Sequence, residues 1–133
     1  MDQDDVREII AMMVDAVNRG DFATARSSFH SDPMVVEDLS PFRWDGPSAV
    51  ADWLTAMGAN AATLNASRIE MRLGEAMQIE VDAERAYACF GGTLWVETAA
   101  GELNAEGTLT FVLVKEANGW LINTLVWGGP RPK

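Results

Sequence analysis

The chain has 133 residues, enough for one domain with its own core, and 48% of them are hydrophobic. A formal net charge of −10 repels nucleic-acid phosphates and anionic membrane surfaces, so neither is expected as a partner. With one cysteine and one histidine, an intrachain disulfide is excluded and metal chemistry would have to rest on carboxylates.

The longest purely apolar run, residues 9–14, is far too short to span a bilayer, and the acidic start MDQDD is unlike a secretory leader. A cytoplasmic protein is expected. Residues 4–18 are predicted as a helix: Val6, Ile9, Ile10, Met13, Val14 and Val17 recur at spacings of three and four and form one apolar stripe. Gly20 ends this helix and Asp21 can cap the next, on which Phe22, Ala25 and Phe29 share a face. His30 and residues 31–33 are read as a break, with His30 capping the helix end.

Residues 34–38 form a short strand, and a turn at 45–47 leads into a third helix opened by Pro47 or Ser48. Its stripe is Val50, Trp53, Leu54 and Met57, with Gly58 closing it and the small-residue stretch ANAATLNAS following as a connector. From Arg68 onward the period becomes two. Strands are predicted at 68–73, 77–81, 85–98, 102–115 and 120–127, with a sheet-bending bulge at Gly91-Gly92.

Helices followed by an antiparallel meander define an α+β fold with the helices on one sheet face. The Asn118-Gly119 turn sets the register of the last hairpin. That register puts Thr108, Thr110, Val112 and Val114 on one face with Asn123, Leu125 and Trp127. Leu109, Phe111, Leu113, Trp120, Ile122 and Val126 lie on the other. Both faces are apolar and three short helices cover only one. The second, taken as Leu109, Phe111, Leu113 and Trp120, is expected to meet another copy of the chain in a homodimer.

VNRGDFATARSSF, VVED, WDGPSAVADWL and GWLINTLVWG occur in an order and spacing that resembles the nuclear transport factor 2-like superfamily, in its SnoaL-like and ketosteroid-isomerase-like branch. The resemblance runs over residues 1–133 as a single SnoaL-like domain. It implies a cystatin-like cone: a curved antiparallel sheet wrapped around three N-terminal helices, with a cavity inside and no cofactor. It also implies a small apolar or aromatic ligand, and an activity of isomerase, cyclase or dehydratase type, or else a binding module without chemistry.

By the same resemblance the general base falls on Asp38. Strand alternation agrees, because Met34, Val36 and Asp38 share a face; if that face is inward, Asp38 loses hydration and gains strength as a base. Glu37 is read as a solvated neighbour. The ketosteroid-isomerase hydrogen-bond donors fall on Met13 and Thr110, a thioether and a weaker hydroxyl, so true ketosteroid isomerisation is not expected. The expected pocket consists of Met13, Val36, Trp44, Trp53, Met57, Thr110, Asn123 and Trp127, with Thr108, Asn123 or Tyr87 as replacement donors. Cys89 is read as a buried small hydrophobe.

Overall fold

The 3.6-residue stripe at the start of the chain dictates where the first helix must lie. In the computed structural model, which describes residues 2–130 and 132–133, α1 (Asp2–Arg19) buries Val6, Ile10, Met13 and Val14 in the core. α2 (Phe22–Ser27) begins at Asp21, whose carboxylate accepts the Thr24 N–H at 3.2 Å. Phe22 is exposed, and Phe29 belongs to the next element rather than to this helix.

That element, β1 (Phe29–Val36), takes in the whole segment read as a break. Phe29 pairs with Ile122, and a strand partner outweighs the local turn signal of Asp32-Pro33. His30 therefore sits in a strand, where its Nε2 meets Glu116 Oε1 at 2.9 Å, and it does not cap a helix. β2 (Arg43–Asp45) is short, and α3 (Ala49–Thr63) follows both strands, so the three helices do not all precede the sheet. α3 continues through Gly58 into the stretch read as a connector. A glycine inside a helix costs about 1 kcal/mol relative to alanine, and Ala59, Ala61 and Ala62 around it are the best helix formers.

β3 (Ala66–Asp82), β4 (Arg85–Thr98), β5 (Gly101–Glu116) and β6 (Gly119–Gly128) complete one sheet in the order β2-β1-β6-β5-β4-β3, antiparallel except for the parallel β1–β6 pair. The two predicted strands at 68–73 and 77–81 are one strand with register shifts between Leu73 and Gln78. The bulge lies there, opposite Gly91, and not within Gly91-Gly92. Gly74 approaches its partner so closely that an added Cβ would stand 2.8 Å from the Gly91 carbonyl oxygen.

A further bulge decides which sheet face is which. Val112 pairs with Thr124 but Leu113 pairs with Ile122, so Asn123 is an extra residue and the alternation of β6 reverses beyond it. Leu125 and Trp127 thereby join Leu109, Phe111, Leu113, Trp120 and Ile122 in the core. The four residues assigned to a subunit interface are thus interior: Leu109, Phe111 and Leu113 are fully buried and Trp120 nearly so. The two-residue turn is Ala117-Asn118, with Glu116 paired to Gly119, and not Asn118-Gly119; the register beside it is therefore displaced by two residues from the expected one, which leaves the faces unchanged until the bulge reverses them. The choice between two apolar faces falls to the helices. Asn18 ties α1 to β3 in the manner of a neighbouring strand, its amide exchanging bonds of 2.7 and 2.9 Å with the Met71 backbone. Among the described residues no helix is long and apolar enough to cross a membrane.

Candidate functional site

β1 carries Met34, Val35 and Val36 in succession, so alternation by itself allows either phase to face inward. The partners choose. Val35 pairs with Trp44 on one side and Leu125 on the other, and all three are buried. The inward phase is therefore that of Val35 and Glu37; Glu37 and Asp38 are both half-buried, and the loss of hydration expected at Asp38 through Met34 and Val36 is found at Glu37. The strand proper ends at Val36, and the Glu37 N–H bonds to the Phe42 carbonyl as the chain turns back toward β2. Past that end strict alternation lapses, and Glu37 and Asp38 both reach the same cavity.

The cavity measures about 130 Å³. Glu37, Asp38 and Leu39 form one rim; Met57, Asn60 and Leu64 descend from α3; Ile69, Leu94 and Val96 rise from β3 and β4. Pro132 lies at the far edge. The walls are apolar except for two carboxyls and one amide. Glu37 Oε1 accepts the Trp53 indole N–H at 3.1 Å, which anchors the carboxyl to a fully buried ring. Burial pushes the Glu37 carboxyl above its ordinary range; the Trp53 hydrogen bond works against this, and the charge of Asp38 adds to it.

Of the residues expected around a ligand, Asp38 and Met57 line this cavity, and Trp53 reaches it through Glu37. The others lie elsewhere. Met13 and Trp127 are packed in the core, Trp44 is buried on β2, and Val36 is half-buried on β1. Thr110 lies on the sheet face away from the core, its hydroxyl 3.6 Å from Cys89 Sγ, and Cys89 there is only half-buried. Asn123 is the bulge residue, and its amide donates to the Asp32 carbonyl at 3.4 Å. None of the three replacement donors, Thr108, Asn123 or Tyr87, lines the cavity. The polar group that does is Asn60, from the stretch read as a connector. Continuing the Val50–Trp53–Leu54–Met57 stripe past Gly58 would have placed Asn60, Ala61 and Leu64 next on the same side.

Glu37 gives a stability signature with a definite sign. Its folded value lies above the ordinary 4.5, so ionisation opposes folding. That cost is absent well below pH 4.5, grows as pH rises through the unfolded value and levels off above the folded one. Glu37→Gln keeps the shape and the acceptor for Trp53 but never ionises. It is expected to melt a few degrees higher than the parent at pH 7 and together with it near pH 4, as read by calorimetry. A lower melting temperature at pH 7 would contradict the desolvated-acid geometry.

The profile of the SnoaL-like domain matches residues 1–126, and the chain belongs to that family. No curated protein matches it by sequence. Among solved structures it is similar to a proposed dehydratase of the NTF2-like family from Streptomyces avermitilis, at 15% identity and a TM-score of 0.80 over 97% of this chain and 96% of that one. It is similar to an NTF2-like protein with a cystatin-like fold from Novosphingobium aromaticivorans, at 16% identity and a TM-score of 0.78 over 95% and 80% of the two chains. A third is hexachlorocyclohexane dehydrochlorinase LinA-type3 from Novosphingobium barchaimii, at 10% identity and a TM-score of 0.80 over 98% and 88%. At these identities the likeness is one of fold: α+β, with an NTF2-like, cystatin-like sheet.

Proposed function

We propose that this chain is a cofactor-independent cytoplasmic enzyme that moves a proton on a small, mainly apolar substrate, in the manner of an isomerase, cyclase or dehydratase. The observation that carries it is the pairing of a desolvated acid, Glu37, with a second acid, Asp38, on the rim of an apolar cavity whose other polar group is the Asn60 amide. Two carboxyls in different surroundings can divide the work of base and acid. Asp38 takes a proton from the carbon next to a carbonyl. The Trp53 N–H occupies Glu37 Oε1, so a proton held on Glu37 sits on Oε2 and can be donated to the forming enolate oxygen, beside the Asn60 amide. The proton on Asp38 then returns to another carbon or departs with a leaving group, and the enol oxygen gives its proton back to Glu37 as the carbonyl re-forms.

Size narrows the substrate. An engineered cavity of about 150 Å³ accepts benzene, so a cavity of about 130 Å³ suits one six-membered ring and is too small for a fused four-ring skeleton. Hydrogen exchange tests the reading: cyclohexanone in D2O, followed by NMR, is expected to lose its α-protons faster with the protein than without it. Saturable binding of cyclohexanone with no exchange would favour the non-catalytic ligand-binding module, and neither binding nor exchange would reject the cavity as a site for such molecules.

In this reading the sheet closes as a cone over the cavity, and its outer face meets a second copy of the chain. That face carries Tyr87, Thr110, Val112 and Val126, which pair across β4, β5 and β6 on the side opposite the face packed against the helices. Tyr87 is 40% exposed. Sedimentation at micromolar concentration is expected to give about twice 14.5 kDa, falling to the monomer value in Val112→Arg. A parent protein that sediments as a monomer would refute the dimer.

A further inference from the structure

A second cavity lies directly beside the first. It measures about 180 Å³, is lined by Val17, Phe22, Leu54, Ala61 and Met71, and is open to solvent on one side, where Phe22 and Gly58 are exposed. Met57 and Ile69 line both cavities, so the wall between them consists of one side chain from α3 and one from β3. The α3 residues behind this wall are small: Gly58 and Ala61 on the second cavity's side leave the space that a longer side chain would fill. The polar side chain at this second cavity is Asn18, whose amide is already engaged with the Met71 backbone at 2.7 and 2.9 Å. What it accepts must therefore be apolar.

We propose that this second cavity is the distal chamber of the same ligand site, and that Met57 determines how long a ligand the site admits. The inference rests on the reading of the first cavity as a ligand site and extends it to a substrate class. The ligand has a polar end at Glu37, Asp38 and Asn60, a single ring in the first chamber, and room for a second apolar group in line with it beyond Met57. The two halves of the wall are unequal. Ile69 is β-branched and stiff at χ1, whereas a methionine side chain has three rotatable bonds and yields readily. Met57 is the half that moves or can be removed.

Calorimetric titration of the full chain with phenol and with 4-phenylphenol tests this. Phenol places a hydroxyl at the acids and fills the first chamber; 4-phenylphenol adds a second ring in line with the first. Met57→Ala is expected to bind 4-phenylphenol about tenfold or more tightly than the parent does, the gain from burying part of that ring, while phenol, which loses its contact with Met57 in the first chamber, gains no affinity. Adding Ala61→Phe, which fills the distal chamber from the far side, is expected to cancel the gain and spare phenol. If Met57→Ala does not fold, Met57→Leu shortens the same side chain and is expected to shift the preference in the same direction by less. Equal changes for both probes, no change, or a gain that survives Ala61→Phe would each overturn the distal chamber and leave the first cavity standing. Failure of the parent to bind phenol at all would remove both.

Discussion

Asp38→Asn is expected to slow α-proton exchange by about 10²- to 10⁴-fold, the range a positioned general base contributes, while phenol affinity stays within a few-fold of the parent. Asparagine keeps the volume and polarity of the side chain but cannot accept a proton to carry it between carbons. The comparison with Glu37→Gln separates the two acids. If Glu37 acts as a proton donor, glutamine still offers an N–H toward the substrate oxygen, so exchange should fall less than for Asp38→Asn. The pH profile of exchange in the parent should carry the ionisation of Glu37, and Glu37→Gln should lose it. A larger loss in Glu37→Gln than in Asp38→Asn would transfer the role of base to the desolvated acid. Unchanged exchange in both variants would place the chemistry outside this rim.

Gly107→Ala is expected to destabilise the fold by about 3 kcal/mol, at the upper end of overpacking costs and a large part of the 5–15 kcal/mol that holds a domain together. A Cβ at this position would stand 2.2 Å from the Gly128 carbonyl oxygen and 2.9 Å from the Trp127 ring. The first of these is backbone, so no rotamer change relieves it. The β5–β6 ladder would have to open where Thr108 pairs with Gly128, beside the buried Trp127. Gly91→Ala is the control, because a Cβ there meets nothing within 4 Å although it too lies inside a strand. Urea midpoints of the two variants should therefore differ sharply. Equal midpoints would mean that β5 and β6 are not packed as closely as the structure has them.

The sequence by itself determined the elements whose signals are local. The apolar stripe of α1 at spacings of three and four, the Asp21 cap and the period-two strands from Arg68 onward are each set by residues close along the chain. Together with VVED and GWLINTLVWG they also identified the family. Wherever two faces were equally apolar, local pattern was silent, and the tertiary structure decided. Met34, Val35 and Val36 can turn either phase inward; Trp44 and Leu125 on the flanking strands selected Val35, and with it Glu37 as the acid that loses hydration. Leu109, Phe111 and Leu113 could have faced a second subunit, but the helices lie on their side of the sheet. The Asn123 bulge turned Leu125 and Trp127 to the same side, and a bulge is a compromise between two strands that neither encodes alone. The cavity wall followed the same rule. Gly58 read in isolation stops a helix, yet α3 runs on to Thr63, because propensity is a small energy beside the packing of Leu54, Met57 and Leu64 over the sheet.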